Sequence, residues 1–445
     1  MENKATQIVP KRILSSLISS VSAGVVPRSG APYMAIGRND EISALLGDLE
    51  RVSIGEGRIR FIIGRYGSGK SFLMQLVRGY AIEKNFITAD ADLSPERRLY
   101  GTNGSGLATY RELIKNMASK SAPDGGALSK LISKWISEFR GKLLDDGYSE
   151  DSSAFSNELY KLISKEMRDI EFLVGGFDFS KTVTEYYRAY INGDDEKQSA
   201  CLRWLRGEFS SKTEARQALG YNVSSIVNDD NWYDFVKLWA SLVRKMGYRG
   251  LILFIDECVN LYKISNRVSR ENNYEKILSM FNDTLQGHAE GLAIIFGGTP
   301  QFLDDTRRGL FSYEALRSRL CDSKYEITGV KNLNNPILRL VRLGDNELFA
   351  LLKRMTNLFC QYYSCDLKIT DENISAFLLQ NMQKAGAETM ITPREMLRDY
   401  MTVLNILLQN SDIDFYKIVG AVAEENKSNE NSIKTKTITA KDIVF

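Results

Sequence analysis

Two kinds of apolar pattern alternate along the chain. Short continuous apolar runs predict β-strands that are buried on both faces, and apolar residues that recur every three or four positions predict amphipathic helices. The clearest runs lie at residues 60–63, 251–255 and 291–297, with weaker candidates at 86–90 and 337–343. Because these strands alternate with helical segments, the pattern favours an α/β fold with a parallel sheet.

An amphipathic helix is predicted close to the amino terminus. Its apolar residues recur at the spacing of one helix face: Leu14, Leu17, Ile18 and Val21. A signal peptide is the alternative interpretation of this segment, but its many serines favour a helix that packs on the protein surface.

These patterns divide the chain into successive segments. Residues 1–52 are predicted to be a helical segment, and residues 53–343 a sheet-containing core. The stretch between the second and third strands is too long for one crossover, so a helical insertion is predicted at about 106–248. Residues 344–422 are predicted to form a helical domain, and the polar residues 423–445 a flexible tail.

The composition of the 445-residue chain narrows the classes of function. Lysine and arginine (58) nearly balance aspartate and glutamate (56), so the net charge of +2 does not indicate a general nucleic-acid binder. The single histidine, His288, excludes zinc sites that need several histidines. Any Ser-His-Asp or Cys-His site would have to use this one residue.

Cysteine content and hydropathy bear on the compartment. Five cysteines without a CxxC pair are not a disulfide framework, which favours a reducing, cytoplasmic location. No run of 18 apolar residues occurs, so we expect no transmembrane helix and no membrane partner.

Residues 64–71 carry the strongest functional signal in the sequence. They match the phosphate-binding (Walker A) pattern G-x-x-x-x-G-K-[ST] as Gly64-Arg65-Tyr66-Gly67-Ser68-Gly69-Lys70-Ser71. A strand candidate precedes them and a predicted helix follows. Glycines let backbone N–H groups wrap a phosphate, and the following helix adds its positive N-terminus. We therefore expect ATP as the ligand, with Lys70 bridging the β- and γ-phosphates and Ser71 holding Mg²⁺.

Polar residues follow the third and fourth strand candidates. The third strand ends in Asp256 and Glu257. We expect Asp256 to hold the metal through its water shell and Glu257 to orient and deprotonate the attacking water. An acidic helix cap is the alternative. Thr299, after the fourth strand, is expected to touch the γ-phosphate or the water, unless it is an ordinary turn residue.

Three arginines are further candidates for phosphate contacts. Arg317 and Arg319 lie two positions apart on a predicted helix and project to different sides, so one of them is a candidate to reach a neighbouring subunit's nucleotide. A solvated helix face is the alternative. Arg394 lies in the first turn of a helix that Thr392 and Glu395 are expected to open as a capping box. We expect Arg394 to lean towards a phosphate, unless this segment only caps the helix.

Together these residues resemble an AAA+ ATPase of the initiator-like branch, which includes origin-recognition proteins and STAND-like switch ATPases. The segment Ile36-Gly37-Arg38-Asn39-Asp40-Glu41 looks like that branch's entry motif, which lies against the adenine and here contains Gly37 and Arg38. The resemblance implies a P-loop parallel-sheet core with a large helical insertion, and a C-terminal helical lid at 344–422. It also implies that Arg319 is the arginine finger, with Arg317 the second choice, and that Arg394 is the second-sensor arginine.

A closer likeness is to the ATP-binding proteins of bacterial phage-exclusion (BREX-type, BrxD-like) defence operons. Five strings carry it: the phosphate loop extended to Phe72, and residues 204–208, 247–252, 298–302 and 308–313. This likeness covers most of the chain up to about residue 405. It implies a cytoplasmic Mg²⁺-dependent ATPase in a homo-oligomer, or in a complex with other operon proteins such as a helicase or nuclease.

Several functions stay open on the sequence. The main hypothesis is an ATP-hydrolysing component of a DNA-directed anti-phage defence complex, whose lid opens and closes with nucleotide. The second is an ATP-dependent switch or scaffold that regulates a partner protein with little turnover. The third is a small-molecule kinase, but kinases usually lack the paired Asp256-Glu257 and the Pro-Arg helix.

Double-stranded DNA is a candidate partner of the helical insertion. Acidic residues are interleaved with its basic ones, so a solvated helical face is the alternative. The basic residues are Lys130, Lys134, Arg140, Lys142, Lys161, Lys165 and Arg168.

Overall fold

The computed structural model describes residues 8–150, 152–321, 332–384, 392–410 and 412–420. The polar tail predicted at 423–445 lies outside these residues. The chain divides into two compact units. We call them the helical unit (Met1–Asn39, Tyr66–Leu76 and Val341–Phe445) and the sheet unit (Asp40–Arg65 and Val77–Leu340).

The sheet unit is built on five parallel strands. They are β1 (Arg58–Gly64), β2 (Ile87–Asp92), β3 (Leu251–Asp256), β4 (Leu292–Gly298) and β5 (Ile337–Leu340), in the spatial order β2-β3-β4-β1-β5. This confirms the parallel α/β sheet that the sequence predicts. The last strand is shorter than predicted because it pairs only with β1, from Phe61 opposite Ile337 to Gly64 opposite Leu340, and β1 ends there.

The central strands are buried along nearly their whole length, as their uninterrupted apolar sequences predict. Every residue of β4 is buried, as is every residue of β1 after Arg58. Phe61 of β1 stacks on Phe296 of β4, with ring centroids 5.2 Å apart. Apolar residues on both faces of these strands explain why the three-strand centre of the sheet was recognisable from sequence.

One charged residue lies inside this apolar sheet. Arg60 of β1 is buried, and its guanidinium makes a two-pronged ion pair with Asp48, at 2.5 Å from Nε and 3.0 Å from Nη2. It also donates to the carbonyl of Asn335. A buried charge is tolerated only when paired and hydrogen-bonded, so this pair holds the helix that carries Asp48 against β1.

Helices surround the strands in chain order. The first two are α3 (Asn39–Ser53) before β1 and α4 (Lys70–Glu83) after it, and the division between the units falls inside α4. Between β2 and β3 the chain forms α5 (Ser105–Lys115), α6 (Leu128–Asp145), α7 (Ser153–Met167), a short 3-10 helix (Ile170–Phe172), α8 (Gly176–Ile191), α9 (Asp195–Leu205), α10 (Lys212–Leu219) and α11 (Trp232–Lys245). After β3 come α12 (Val259–Tyr262), α13 (Arg267–Leu285), α14 (Pro300–Asp304), a second 3-10 helix (Leu310–Ser312) and α15 (Glu314–Leu320).

Buried aromatic side chains join the helices between β2 and β3. The hydroxyl of Tyr110 donates to the carbonyl of Leu205 at 2.7 Å and accepts from the indole N–H of Trp239 at 3.0 Å. Phe179 packs edge-on against Trp239, with centroids 5.0 Å apart. Because the buried polar atoms of Tyr110 and Trp239 are paired, these large rings add apolar burial without an unsatisfied hydrogen bond.

The helical unit contains α1 (Lys11–Ser22), α2 (Ala31–Met34), α16 (Asp345–Tyr363), α17 (Asp371–Lys384) and α18 (Pro393–Gln409). Helix α1 packs on α16 and α18 through the four apolar residues that the sequence marks as one face, which confirms that prediction. A buried hydrogen bond of 2.7 Å between the Thr356 and Tyr400 hydroxyls joins α16 to α18. Among the helices within the described ranges, none combines the length and apolar character needed to span a bilayer.

Asp48→Asn removes the negative partner of the buried arginine. We expect it to lower the free energy of unfolding of the sheet unit by about 3 kcal/mol, because Arg60 stays buried without its counter-charge. All four tryptophans of the chain lie in this unit, at positions 135, 204, 232 and 239, so a urea titration followed by tryptophan fluorescence reports on it.

The control for this experiment is Glu56→Gln, which breaks the more exposed ion pair with Arg58. It should change the stability by less than about 0.5 kcal/mol. Equal losses for Asp48→Asn and Glu56→Gln would contradict the importance of the buried pair.

Candidate functional site

Three strands bring candidate residues to one edge of the sheet. β1, β4 and β3 are neighbours and run parallel, with Ile63 opposite Gly298 and Ile255 opposite Phe296. Their carboxyl ends therefore lie side by side. This edge carries the start of the phosphate-binding pattern after β1, the Asp256-Glu257 pair after β3 and Thr299 after β4.

The turn after β3 is conformationally strained. Glu257 adopts a left-handed backbone conformation with φ of 57°, which costs a residue with a side chain about 1 kcal/mol or more. The carboxylate of Asp256 accepts the N–H of Glu257 at 2.8 Å, and the N–H of Cys258 donates to Gly297 of β4 at 3.0 Å. These two bonds hold the turn, and the side chain of Glu257 is exposed without a hydrogen bond to any described residue. A solvent-facing carboxylate in a fixed turn is suited to act on water.

A third carboxylate at this edge was missed by sequence reasoning. Asp92, the last residue of β2, is paired in register with Asp256. Asp92 is exposed at the end of the strand, but partial desolvation of its carboxyl group raises its pKa, and the neighbouring carboxylates, Asp256 first, raise it further. The sequence signal was present, because Asp90 and Asp92 alternate at the end of an apolar strand, but the predicted strand stopped at residue 90.

Thr299 serves first as a helix cap. Its Oγ accepts the N–H of Phe302 at 3.3 Å and so opens the short helix α14. The ring of Phe302 lies so close to Gly298 that a Cβ there would be 2.5 Å from its Cδ1. The cap uses Thr299 as an acceptor and leaves the hydroxyl hydrogen for another acceptor at the strand tip.

The paired arginines are exposed in the last turn of α15. The guanidinium of Arg319 donates to the carbonyl of Ala315 at 2.7 Å, and Arg317 lies 3.7 Å from the carboxylate of Glu314. Leu316 and Leu320 anchor the opposite face of the helix. Among the described residues both guanidiniums contact only their own helix, and both face solvent, where a second molecule can be reached.

The rest of the phosphate-binding pattern lies in the helical unit. Gly67 and Gly69 have φ of 77° and 87°, a left-handed conformation in which glycine carries no steric cost. Helix α4 begins at Lys70, and its first internal bond runs from the N–H of Leu73 to the carbonyl of Gly69 at 2.9 Å. The preceding N–H groups thus point out of the helix end, which is the arrangement that binds anions.

Two residues that are distant in sequence, Arg38 and Thr392, contact the phosphate-binding loop. The buried guanidinium of Arg38 donates to the carbonyl of Ser68 at 2.9 Å and to that of Val341. On another side, Gly67 lies against Thr392, whose Cγ2 would be 2.5 Å from a Cβ at position 67. The Oγ of Ser68 is buried and has no hydrogen-bond partner among the described residues.

Gly37 and Arg38 have different surroundings. Gly37 has φ of 72°, and the carboxylate of Glu347 occupies the space that a side chain there would take. Glu347 in turn accepts the N–H of Gly344 at 2.7 Å and so caps the start of α16. Since the guanidinium of Arg38 donates to two backbone carbonyls, one of them in the loop, Arg38 holds the loop in position.

The predicted capping box at α18 is confirmed. Thr392 Oγ1 accepts the N–H of Glu395 at 3.2 Å, and the Glu395 carboxylate accepts the N–H of Thr392 at 2.9 Å. The bond from the N–H of Thr392, and a second from its hydroxyl at 2.8 Å, lower the pKa of Glu395. Arg394 is exposed in this first turn, with its stem beside Gly24, and its guanidinium makes no hydrogen bond or salt bridge with the described residues.

Acids neutralise several basic residues of the segment between β2 and β3. Lys134 pairs with Glu138 at 3.6 Å, Lys161 pairs with Glu158 at 3.0 Å, and Arg140 contacts a nearby glutamate. These three residues fit the solvated-face interpretation, because a DNA-binding surface needs unneutralised cations. The other four candidates, Lys130, Lys142, Lys165 and Arg168, are exposed and form no salt bridge with the described residues.

Comparison with known proteins identifies the family. A family model described as BREX system ATP-binding protein BrxC/D matches residues 9–423. The chain belongs to this BrxC/D family. No curated protein is a significant match. Membership of a family of ATP-binding proteins in the BREX system indicates that ATP is the ligand of this chain.

The loop residues around Gly69 and Lys70 of this BrxC/D chain are compatible with binding a nucleoside triphosphate. A Cβ placed on Gly69 would meet no described atom within 4 Å, so the backbone is open to close approach by a ligand. A helix N-terminus, a lysine at its first position and a turn lined by glycines are features that favour the binding of an anion.

Asp92→Asn should stabilise the BrxC/D chain at neutral pH. The raised pKa means that the native state binds this proton more tightly than the unfolded chain, so ionisation destabilises the fold above both pKa values. Because Asp92 is exposed and its charge is screened by solvent, we expect the midpoint of thermal unfolding to rise by only about 1 °C at pH 7.5. The difference should shrink as the pH falls and the carboxyl is protonated.

Asp169→Asn is the contrasting control, because its hydrogen bond to Lys245 lowers the pKa of Asp169. It should leave the unfolding midpoint unchanged or slightly lower. A stabilisation by Asp169→Asn equal to that by Asp92→Asn would point to a general effect of removing acidic charge.

Gly67→Ala should loosen α18 while Gly69→Ala should not. Both positions have positive φ, but only a Cβ at 67 meets Thr392. We expect hydrogen–deuterium exchange of the Glu395 and Met396 amides, which bond to Thr392, to become about tenfold faster in Gly67→Ala alone. Adding Thr392→Ser removes the obstructing methyl and keeps the cap oxygen, so protection should partly return. Equal exchange in both glycine variants would contradict the contact.

Proposed function

We propose that the chain is a Mg²⁺-dependent AAA+ ATPase that hydrolyses ATP. The observation that carries the proposal is the loop of two left-handed glycines, held by Arg38 and Thr392, that opens helix α4 at Lys70. In this proposal the loop backbone, from Gly64 to Ser71, cradles the phosphates, and Phe72 is partly buried in the core of the helical unit beneath the loop. The Lys70 ammonium neutralises the β- and γ-phosphates.

The metal needs few protein ligands in this proposal. Among the described residues, no group of three or more His, Cys, Asp or Glu side chains is placed to hold a metal ion. Mg²⁺ commonly keeps several waters and binds through one or two protein oxygens together with substrate phosphates. Ser71 and Asp256 are the residues proposed to hold it, and the ion would neutralise charge on the transferring phosphate.

Glu257 is proposed as the general base. Its carboxylate is exposed in a strained turn and is not engaged by a described hydrogen bond, so it is available to accept a proton from water. Thr299, whose Oγ already accepts the N–H of Phe302, can donate its hydroxyl hydrogen to the γ-phosphate or to the water.

Nucleotide sensing is assigned to the arginines and to the helical domain at 344–422. Arg394 is proposed to contact a phosphate, and its unengaged guanidinium at a helix start supports that role. Arg319, or Arg317 in second place, is proposed to complete the site of a neighbouring subunit or partner, which its exposure permits. Gly37 and the backbone beside it are proposed to face the adenine, while Arg38 positions the loop.

We further propose that ATP turnover acts within a BREX defence assembly, on or near DNA. Family membership supports the BREX part. Because Lys134, Arg140 and Lys161 are paired with acids, the proposal places the main DNA contact on a partner such as a helicase or nuclease, and leaves a secondary contact to the exposed Lys130, Lys142, Lys165 and Arg168.

Steady-state ATP hydrolysis separates this function from a switch with little turnover. We expect Glu257→Gln to lower the turnover rate at least about 100-fold and to leave the ATP dissociation constant within about threefold, because only the base is lost. Lys70→Ala should instead weaken ATP binding. Each protein is measured with Mg²⁺, with and without double-stranded DNA.

Glu290→Gln, at an exposed position in the loop before β4, is the matched control and should behave as wild type. Tight ATP binding by the wild type with no turnover under either condition would contradict the proposed hydrolysis and favour the switch. Turnover that survives Glu257→Gln would exclude Glu257 as the base.

A further inference from the structure

Helix α16 ends in a turn that brings two cysteines together. Ser364 adopts the left-handed conformation, with φ of 54° and ψ of 41°, and its N–H donates to the carbonyl of Cys360. The N–H of Cys365 reaches the same carbonyl at 3.2 Å. Hydrogen bonds from these two positions characterise a Schellman-type helix end, in which the side chains at the first and last positions contact each other. Here those positions are Cys360 and Cys365.

The last turn of α16 is held firmly at this point. Phe359 is buried in the core of the helical unit, and its ring lies 4.6 Å from that of Tyr363. The hydroxyl of Tyr362 donates to Ser15 of α1 at 3.3 Å. The cysteine pair therefore lies at a well-packed helix end, which holds the two sulfurs close together before any reaction.

The two thiols contact each other and have access to solvent. Both side chains are partly exposed, whereas Cys201 and Cys258 are buried. Partial burial, together with its hydrogen bond to Cys360, raises the pKa of Cys365 to about 11. Cys365 thus keeps its proton and donates towards Cys360, which makes Cys360 the sulfur that reacts first.

We propose that Cys360 and Cys365 are a modification site that forms a reversible intramolecular disulfide with a small disulfide oxidant of the glutathione class. The Cys360 thiolate attacks one sulfur of the oxidant and releases one thiolate. Cys365 then loses its proton to solvent, and its sulfur attacks Cys360 and expels the second thiolate. Two protein thiols are oxidised to one disulfide, and one glutathione disulfide is reduced to two glutathione thiols.

The position of the pair indicates a disulfide that cellular thiols can reduce again. The bridge would close only the short segment from Cys360 to Cys365, and the entropic stabilisation from a cross-link falls as the closed loop shortens. Its local effect would be to lock the left-handed turn that leads from α16 towards α17. This inference goes beyond ATP binding and hydrolysis, and its test does not depend on turnover.

The test uses the full chain equilibrated with defined ratios of reduced and oxidised glutathione. Free thiols are then alkylated, and the protein is digested and analysed by mass spectrometry. We expect a Cys360–Cys365 disulfide in the wild type, with at least about ten times less mixed disulfide at Cys360 than in Cys365→Ser, where the second step cannot occur. Dithiothreitol should reverse both products. Wild type that stops at the mixed disulfide, as Cys365→Ser does, would overturn the proposal.

Cys321→Ser is the matched control, because Cys321 is the exposed cysteine of the sheet unit. It should leave the Cys360–Cys365 disulfide unchanged. Loss of the disulfide in Cys321→Ser would show that the oxidised form needs a different pairing and would overturn the assignment.

A second pair of variants tests the geometry without touching the thiols. Ser364→Gly favours the left-handed conformation, and Ser364→Val opposes it because a β-branched residue is strained there. Ring closure, followed as the decay of mixed disulfide after quenching at successive times, should be about tenfold slower in Ser364→Val than in Ser364→Gly. Equal closure rates would show that the helix end does not pre-form the pair.

Discussion

The parallel pairing of β1 with β4, and of β4 with β3, is the constraint on which the chemistry of the sheet unit depends. Backbone hydrogen bonds fix the register, and register decides that Gly64, Asp256 and Gly298 end at one edge. The apolar faces of these strands are buried in the core, so the polar side chains that can contact a ligand lie at the strand ends and just beyond them. Glu257 shows the cost, because its turn is held in a strained conformation by bonds to Asp256 and to β4.

The helical unit solves a different problem, which is how to hold a glycine-rich loop that has few side chains of its own. Left-handed glycines allow the turn but give it no stiffness. Stiffness comes from Arg38, which binds the carbonyl of Ser68, and from Thr392, which lies against Gly67. Since Thr392 is also the cap of α18, the loop contacts the helix that carries Arg394. A shift of the backbone at Gly67 would therefore displace Thr392 and weaken the cap of α18.

Local pattern predicted those parts of the structure that depend on local physics. Uninterrupted apolar runs predicted the central strands. The spacing of Leu14, Leu17, Ile18 and Val21 predicted α1. The Thr392-Glu395 pair predicted the helix cap of α18. Contacts between distant segments left no such signal. The Arg60–Asp48 ion pair, the carboxylate of Glu347 at Gly37 and the pairing of Asp92 with Asp256 all depend on register or on packing between elements. The roles of the phosphate-site residues stay predictions, because they concern a bound nucleotide.

The distribution of charge bears on how such a protein would act near DNA. A net charge of +2 provides little long-range attraction for a polyanion. Several lysines and arginines between β2 and β3 form salt bridges with neighbouring acidic residues. Arg394 forms no salt bridge with the described residues, and Arg319 bonds only a carbonyl of its own helix. These are the positions that the proposed function gives to nucleotide sensing. Lys130, Lys142, Lys165 and Arg168 are also exposed and form no salt bridge with the described residues, so the positive charge of the described surface is shared between this segment and the arginines proposed to sense nucleotide.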